Sequence, residues 1–389
     1  MHKLRNLKMV AKYAYGAFRT TMTNLHPLPD IFRYWILAVG GGFMFLYSDD
    51  NMPHIFAKYE SMPNFVKVYK ESERWCELME CQNVADLNKL VRSGKIRELI
   101  RVNESLHEKR FSQIADAVYS RGTRVVMLAG PSSSGKTTSA NRLATHLRIL
   151  GKKPAILSLD DYYLDRDLIL PDFDGKFDLE HIDTIDTKLF CNDLLDLLSG
   201  KTTEIPGFDF KSGKRVWNGH ILTLNENSLI IVEGLHALNP TLMPDHIDPC
   251  WVFKLYVSPL LPLSLDDHNR IPTSVLRLLR RTVRDYKTRG ASVGKTLEMW
   301  DSVRQGERRW IFPYQEGADI IFNSSTLYEL PVLKKHIYPL LLQVAPKESA
   351  YEQVQAILKV LNYIQEADVD DEIPPTSIVR EFIGGNSFY

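Results

Sequence analysis

The residues with the clearest chemical signature form a nine-residue run that fits GxxxxGK[ST] at every fixed position. Glycines allow the backbone to fold closely round an anion, and successive N–H groups then point into the loop. The run follows an apolar stretch and precedes a helical pattern, which is the context that a phosphate-binding loop requires. We predict that a nucleoside triphosphate binds Gly130, Pro131, Ser132, Ser133, Ser134, Gly135, Lys136, Thr137 and Thr138.

Two side chains of this loop are predicted to have separate tasks. Lys136 is expected to reach the β- and γ-phosphates as a catalytic cation, and the Thr137 hydroxyl is expected to bind magnesium. A chance glycine–serine loop is the alternative, but such a loop needs neither the strand before it nor the helix after it. The sequence therefore predicts ATP and Mg²⁺ as cofactors.

Carboxylates end two further apolar runs. Asp160 and Asp161 follow PAILSL, and Glu233 follows SLIIV. Ligands of a doubly wound sheet bind at the carboxyl ends of its strands, where a carboxylate can accept a proton from an attacking hydroxyl or help to hold a metal ion. We predict Glu233 as a metal ligand. Because successive residues of an extended chain point to opposite sides, only one of the two aspartates can face the phosphate. The alternative is that both cap the next segment.

A cationic cluster lies further along the chain, in RLLRRTVRDYKTRG. Four of its arginines share one face at 3.6 residues per turn, a costly concentration of like charge: Arg277, Arg280, Arg281 and Arg284, with Arg289 following. We predict a lid whose guanidinium groups neutralise the transferring phosphoryl group, with Arg277 and Arg280 as catalytic residues. A solvated face or a nucleic-acid patch is the alternative. The phosphate-binding loop and the zero net charge favour the lid.

Five continuous apolar runs are predicted to be the strands that position these groups. They lack polar alternation, as expected for strands covered on both faces, and helical patterns such as residues 137–150 and 275–286 separate them. The predicted fold class is α/β: a P-loop NTPase-type doubly wound parallel sheet with helices on both faces, plus a smaller α+β amino-terminal region. The predicted strands are residues 124–130, 154–160, 228–234, 252–258 and 319–324.

The chain before residue 120 has a different pattern. YWILAVGGGFMFLY predicts two short strands joined by a glycine turn, residues 49–65 a loop, and residues 66–119 helices. Residues 1–29 are basic, as in a transit peptide, but they contain no serine, which argues against that function. The predicted domains are residues 1–29 (basic segment), 30–119 (amino-terminal region with a helical linker), 120–345 (P-loop domain) and 346–389 (carboxy-terminal helix and tail).

The composition excludes several other classes of protein. Forty-eight basic residues balance 48 acidic ones among 389, so no global charge attracts nucleic acid or an anionic membrane. Four cysteines are too few for a disulfide scaffold, and buried thiols in a reducing compartment are expected instead. The most apolar stretch is too short to span a membrane. We therefore expect a cytoplasmic protein without a membrane partner.

The core, from about residue 123 to residue 344, resembles the uridine kinase and phosphoribulokinase family of P-loop kinases. The motifs that carry the resemblance are GPSSSGKTT, LSLDDYY, PGFDFKSGKR, IIVEGLHALNP and RLLRRTVRD followed by RG. More narrowly, LDDHNRIPTS, RRWIFPYQEGADIIFNS and SIVREFIGGNSF are similar to a nucleoside kinase subfamily whose amino-terminal half resembles accessory domains of threonyl-tRNA synthetase. Members usually have a longer amino-terminal region, so residues 30–119 are expected to be a shortened remnant of it.

The resemblance implies roles for individual residues. Asp160 matches the family's catalytic carboxylate, which deprotonates the nucleoside 5′-hydroxyl, and we also predict it at the metal site. Glu180 matches the sugar-binding aspartate, Phe208 the aromatic residue that stacks on the base, and Arg277 a substrate-side arginine. Gly213 stands where the family has a histidine that contacts the base. The positions for phosphates, metal and general base thus match, whereas the base-reading positions differ.

These features lead to three hypotheses. The first is ATP-dependent phosphorylation of the 5′-hydroxyl of a ribonucleoside, with uridine or cytidine preferred. The second is a P-loop kinase for another small hydroxyl substrate, either a different nucleoside or a sugar phosphate. The third is a non-catalytic, RNA-linked module that senses nucleotide. An RNA binder should show a basic stripe with stacking aromatic residues in its first 120 residues, but after residue 29 that region mixes charges of both signs. We therefore expect no nucleic-acid partner, and a homo-oligomer is left open.

Overall fold

The structural description covers most of the chain after its first 61 residues. The computed structural model describes residues 19–21, 34–39, 42–49, 52–56, 62–169, 178, 180–210, 212–244, 247–266 and 269–388. The chain divides into two compact units, residues 1–62 and 63–389. The predicted basic segment, residues 1–29, lies outside the described residues except for residues 19–21.

The first unit contains four described strands. They are β1 Arg19–Thr21, β2 Tyr34–Val39, β3 Gly42–Asp49 and β4 Met52–Phe56. They form one antiparallel sheet in the order β1–β2–β3–β4. β2 and β3 confirm the two strands predicted around the glycines. β4 corrects the prediction of a loop over residues 49–65, because the turn formers there include Pro53, which an edge strand such as β4 tolerates.

Three helices open the second unit. They are α1 Pro63–Leu78, α2 Val84–Arg92 and α3 Ile96–Ser120, and they confirm the helical prediction for this stretch. The apolar face of α3, which includes Ile100, Phe111 and Val118, is buried in one core with the helices and strands that follow. The sequence grouped these helices with the amino-terminal region. They pack instead in the second unit, because an apolar helix face must find a partner and the sheet layer supplies one.

A parallel sheet and a hairpin complete the strands of the second unit. They are β5 Val125–Ala129, β6 Lys153–Ser158, β7 Thr203–Asp209, β8 Lys214–Leu222, β9 Ser228–Glu233, β10 Val252–Ser258 and β11 Ile320–Asn323. Five of them form the sheet, in the order β11–β10–β5–β9–β6, and every pair is parallel. These are the five strands that the sequence predicted. β7 and β8 pair with each other as an antiparallel hairpin.

Helices cover the sheet on both faces, as predicted. They are α4 Lys136–Ile149, α5 Thr187–Leu198, α6 Thr273–Arg289, α7 Val293–Trp310, α8 Glu329–Leu341, α9 Tyr351–Asn362 and α10 Arg380–Ile383. Along β5, Val126 and Leu128 belong to the core that contains α3, α4, α6 and α8, whereas Val125 and Met127 belong to the core that contains α5. Alternate residues of a strand point to opposite faces, so the two cores lie on opposite sides of the sheet. Within the described part of the chain, no helix is both long and apolar enough to cross a bilayer.

Candidate active site

The phosphate-binding loop joins β5 to α4, as its sequence predicts. A Cβ atom on Gly130 would lie 2.1 Å from the Val257 carbonyl oxygen, so only glycine permits this close approach of two backbones. Gly135 is the N-cap of α4 and has a φ of 88°, a left-handed conformation that glycine adopts readily. The chain can therefore turn tightly into the amino terminus of α4, whose partial positive charge favours phosphate.

A cavity of about 380 Å³ opens beside the loop. Its walls combine loop residues, carboxylates, aromatic rings and arginines, a mixture suited to a ligand with phosphate, hydroxyl and ring groups. The lining includes Ser132, Ser133, Lys136, Asp160, Tyr163, Arg166, Glu180, Phe208, Phe210, Arg281, Arg284 and Arg289. The fold thus brings the predicted Lys136, Asp160, Glu180 and Phe208 together, although they are up to 72 residues apart in sequence.

Two buried arginine–glutamate pairs, which we call the rear pairs, lie away from this cavity. Arg277 of α6 contacts Glu307 of α7 through two bonds, Nη1 to Oε1 at 2.5 Å and Nη2 to Oε2 at 2.7 Å. Arg280 contacts Glu329 of α8, with Nε to Oε2 at 2.7 Å. None of these four side chains is more than 4% exposed. Each buried charge therefore has an opposite charge in direct, hydrogen-bonded contact.

The rear pairs hold the backbone of the phosphate-binding loop. Arg277 donates to the Ser132 carbonyl oxygen at 3.1 Å, and Glu307 accepts from the Ser132 N–H at 2.8 Å. Arg280 donates to the Ser133 carbonyl oxygen at 3.3 Å. Ser133 has a φ of 60°, which costs energy in a residue other than glycine, so these contacts stabilise a strained loop conformation.

The positions of Arg277 and Arg280 correct the prediction that they face the transferring phosphoryl group. They are buried behind the loop and are absent from the described lining of the cavity. The reason is tertiary: α7 and α8 bring Glu307 and Glu329 against one side of α6, and each carboxylate neutralises one arginine. Helical periodicity alone cannot show which arginines of a charged face meet such a carboxylate.

Three other arginines face the cavity, and we call them the front arginines: Arg281, Arg284 and Arg289. All three contact the single carboxylate of Asp285, at 3.3, 2.9 and 3.7 Å respectively. Arg281 also donates to the Ser132 hydroxyl at 2.7 Å, and burial lowers its pKa. One carboxylate cannot neutralise three guanidinium groups, so the front arginines leave positive charge at the cavity that favours an anionic ligand.

The two aspartates after β6 point in different directions. β6 ends at Ser158, and residues 159–162 form a 3₁₀ turn, so the argument from an extended chain was wrong at this point. A 3₁₀ turn has three residues per turn, which still separates neighbouring side chains by about 120°. Asp160 lines the cavity. Asp161 accepts a hydrogen bond from the Phe208 backbone, and burial together with the negative charge of Asp160 raises its pKa to about 6.

The predicted metal ligands Thr137 and Glu233 are in contact. The Thr137 hydroxyl donates to Glu233 Oε1 at 3.3 Å, and the Ser158 hydroxyl donates to the same oxygen at 3.1 Å. Burial, and then the negative charge of Asp160, raise the pKa of Glu233, while Lys136 opposes the shift. A divalent cation would relieve this concentration of buried negative charge, and hydroxyl and carboxylate oxygens are the ligand type that Mg²⁺ prefers. These residues therefore fit magnesium.

Magnesium sites need few protein ligands. The described residues contain no group of three or more His, Cys, Asp or Glu side chains arranged to hold a metal ion. Mg²⁺ typically binds one or two carboxylates together with substrate phosphates and water. Glu233 with the Thr137 hydroxyl, and Asp160 nearby, match that smaller set.

Glu180 is a carboxylate with an unsatisfied oxygen. Its Oε2 atom is buried and has no hydrogen-bond partner among the described residues. Burial raises the pKa of Glu180 to about 7, although the charge of Arg281 opposes the shift. Gly306 of α7 lies against it, since a Cβ atom there would be 2.4 Å from the Glu180 Cβ. Glu180 can therefore accept hydrogen bonds from a hydroxyl-bearing ligand in the cavity.

Aromatic rings form the far wall of the cavity. The ring centroid of Phe208 lies 5.6 Å from that of Tyr163 and 5.2 Å from that of Phe210, in edge-to-face arrangements. Sequence reasoning found Phe208 but missed the other two rings. Phe210 follows Asp209, the last residue of β7, so strand alternation did not single it out. At Gly213, with a φ of 70°, a Cβ atom would lie 2.5 Å from the Arg166 Cδ atom, so Arg166 occupies that space.

The fold and the site define a class of P-loop phosphotransferase, and sequence comparison identifies the family. Residues 125–330, just over half of the chain, match the phosphoribulokinase / uridine kinase family. The chain belongs to this family and is a phosphotransferase that acts on a hydroxyl group. The matched residues include the loop, both carboxylate-bearing strand ends, the hairpin and the helix that carries the arginines.

Several known proteins are similar to this chain. The uridine kinase of Staphylococcus aureus (strain JH9) is 32% identical over 202 residues, which cover 52% of this chain and 87% of that protein. The match to the solved structure of a possible uridine kinase from Bacillus stearothermophilus covers 55% of this chain and 98% of that chain, at 18% identity and a TM-score of 0.35. The match to the solved structure of a D-glycerate 3-kinase from Cryptococcus neoformans covers 71% of this chain and 89% of that chain, at 16% identity and a TM-score of 0.28. Structural scores of this size add nothing to the family assignment.

Proposed function

We propose that this kinase transfers the γ-phosphoryl group of ATP to the 5′-hydroxyl of a ribonucleoside, with uridine or cytidine as the acceptor. The observation that carries the proposal is the meeting of Lys136, Asp160, Glu180 and Phe208 in one cavity. They supply a cation for phosphate, a carboxylate base, a hydrogen-bond acceptor for hydroxyls and a ring for stacking. A nucleoside with a triphosphate beside it uses all four.

The phosphate end of the proposed reaction depends on positive charge. The loop N–H groups and Lys136 would hold the triphosphate, and the front arginines would oppose the charge that spreads over the transferring group. Thr137 and Glu233 would hold Mg²⁺. When bound, Mg²⁺ supplies further neutralisation of the phosphate oxygens. The rear pairs would act only by keeping the loop in its conformation.

The acceptor end depends on the carboxylates and the rings. Asp160 would accept the proton of the attacking hydroxyl, which makes that oxygen a better nucleophile. The buried, unpartnered oxygen of Glu180 would accept hydrogen bonds from ribose hydroxyls. Phe208 would stack on the base, since every base presents a flat π-face. The similarity to a uridine kinase supports a pyrimidine as that base.

A second acceptor class is favoured by the charge of the cavity. The front arginines and Arg166 all line it, which is more positive charge than a neutral nucleoside requires. A small acceptor that already carries an anionic group, such as a sugar phosphate, would use that surplus. This candidate keeps the same transfer chemistry and changes only the acceptor.

A panel of acceptors separates the two candidates. Purified protein with Mg²⁺–ATP is offered uridine, cytidine, adenosine, guanosine and several sugar phosphates, and ADP formation is measured for each. We expect uridine or cytidine to give the highest kcat/KM, and we expect Asp160→Asn to abolish the acceptor-dependent signal. Turnover with sugar phosphates alone would replace the nucleoside proposal by the second candidate. Acceptor-independent ADP formation alone would contradict both.

A further inference from the structure

The carboxyl-terminal tail, residues 374–388, packs directly on the phosphate-binding loop. A Cβ atom on Gly135 would lie 2.5 Å from the Cγ2 atom of Ile378, so this part of the tail is in contact with the loop backbone. The ring of Phe382 lies 4.9 Å from the guanidinium carbon of Arg280. Lys287 donates to the Ile383 carbonyl oxygen at 2.7 Å. The tail is therefore part of the surroundings of the nucleotide site.

One tail residue, Glu381, contacts the amino terminus of α4. Its Oε2 atom accepts from the Thr138 hydroxyl at 2.7 Å and from the Thr138 N–H at 3.3 Å. The N-cap residue, Gly135, has no side chain, so it cannot satisfy an N–H group of the first turn as capping side chains usually do. Glu381 supplies the missing acceptor, and its negative charge suits the positive end of the helix.

The same donors are the ones that a phosphate-binding loop presents to its ligand. In loops of this kind, backbone N–H groups at the helix amino terminus cradle the α- and β-phosphates. Thr138 directly follows the motif, which ends at Thr137, and it is fully buried. Asn386 of the tail also donates to the Thr138 hydroxyl, at 3.1 Å. A phosphate oxygen can accept hydrogen bonds from Thr138 only if the Glu381 carboxylate moves away from it.

We propose that Glu381 competes with a nucleotide phosphate for Thr138 and thereby sets the affinity of the site for nucleotide. The proposal rests on the proposed function, because it requires ATP or ADP to bind at this loop. Two anions cannot accept the same N–H and O–H hydrogens, so binding must exchange the carboxylate for a phosphate.

The rest of the tail is anchored, so the exchange concerns mainly the Glu381 side chain. Ser377 donates to Glu104 Oε1 of α3 at 2.8 Å, inside the core. The Arg380 guanidinium donates to the Ile373 carbonyl oxygen at 2.9 Å and to that of Asp370 at 2.5 Å. With its neighbours fixed in this way, Glu381 stays close to Thr138 and competes at high local concentration.

The test is a direct measurement of nucleotide affinity in the 389-residue chain. Mg²⁺–ADP is titrated into wild type and Glu381→Gln by isothermal calorimetry, with Asp371→Asn as the matched control. Asp371 is a carboxylate of the same carboxyl-terminal segment, but it pairs with Arg97 and is 70% exposed. We expect Glu381→Gln to tighten ADP binding by about tenfold, because a charge-assisted competitor is lost, and the control to match wild type.

Adenosine provides the second arm, because it has no phosphate. The affinity for adenosine should be the same in wild type and Glu381→Gln if the competition concerns phosphate alone. Unchanged or weaker ADP binding by Glu381→Gln overturns the proposal and leaves Glu381 as a helix cap. If Glu381→Gln does not fold, Glu381→Asp, whose shorter side chain withdraws the carboxylate, replaces it with the same expected direction. Wild type that binds no nucleotide contradicts the proposed function instead.

Discussion

The arginines of the rear pairs and the front arginines lie on the same helix, α6, but differ in their ionic partners and in whether they line the cavity. Arg277 and Arg280 are buried, and each is neutralised by its own glutamate. Arg281 lies one residue further along, yet it shares the carboxylate of Asp285 with two other arginines and faces the cavity. A step of one residue along the helix, from Arg280 to Arg281, therefore separates an arginine that holds the loop from one that faces the cavity.

The number of charged residues on a helix face does not indicate their function. The ionic partner of each charged residue does. A buried charge with a dedicated opposite charge is costly to disturb, because the loss of one partner leaves the other unpaired. A charge that shares its partner keeps part of its field for the cavity. The carboxylates follow the same rule: Glu180 and Glu233 lack a dedicated cation, and their pKa values are raised.

The largest expected effect is at Lys136, on the cavity side. Lys136→Ala removes the cation directed at the β- and γ-phosphates, and we expect turnover to fall by about 10³–10⁵-fold, the range known for a cation supplied to a transferring phosphoryl group. The free energy of unfolding should change little, because Lys136 is only partly buried. Steady-state ADP formation and urea unfolding measure the two quantities. Turnover within tenfold of wild type would falsify the phosphoryl-transfer mechanism.

The second prediction compares the two aspartates of the 3₁₀ turn. Asp160→Asn should lower kcat by about 10²–10⁴-fold while ATP still binds, because a general base typically contributes that factor. Asp161→Asn should cost much less, because Asp161 contacts the Phe208 backbone and does not line the cavity. Measurements of kcat and melting temperature distinguish the accounts. Equal, modest losses of stability with normal turnover in both variants would identify the pair as caps.

The third prediction tests the difference between the arginines of the rear pairs and the front arginines directly. Arg280→Ala leaves the buried carboxylate of Glu329 without its partner, so the free energy of unfolding should fall by about 3–5 kcal/mol. Arg289→Ala is the matched front variant: half of the Arg289 side chain is exposed and Asp285 keeps two other arginines, so the loss of stability should stay below about 1 kcal/mol while turnover falls. Chemical denaturation and kinetics of both variants are needed. A stable Arg280→Ala protein would remove the distinction between the two groups.

The smallest effect is a pH dependence of stability. Burial raises the pKa of Glu180 to about 7 in the folded protein, against 4.5 as its ordinary value. The folded state then binds the proton more tightly than the unfolded state, so this group favours folding below pH 4.5 and that contribution is lost as the pH rises to about 7.

Substitution isolates this contribution. Glu180→Gln removes the ionisation, and we expect it to raise the free energy of unfolding at pH 8 by roughly 1–2 kcal/mol and to flatten the profile between pH 5 and pH 7. Urea unfolding at several pH values without nucleotide is the measurement, and Glu98→Gln, at an exposed position, is the control. A profile identical to that of wild type contradicts burial as the cause of the raised pKa.

Much of this protein follows from local patterns in its sequence. The five sheet strands are continuous apolar runs, and such runs have few alternatives to a strand buried on both faces. The phosphate-binding loop was equally predictable, since the tight backbone approach at Gly130 and the left-handed Gly135 require glycines at fixed positions. Asp160 and Glu233 could be found because strand ends at one edge of a parallel sheet must meet.

Contacts between residues from distant segments could be known only from the tertiary structure. The sequence placed Arg277 and Arg280 with Arg281 on one charged face, and nothing in a 3.6-residue period indicates that Glu307 and Glu329 will neutralise the first two. The contact between Glu381 and Thr138 joins residues 243 apart, and no local pattern specifies it. Local patterns depend on backbone geometry and burial, which act over a few residues. The partner of a buried charge depends instead on which helices pack together in the core.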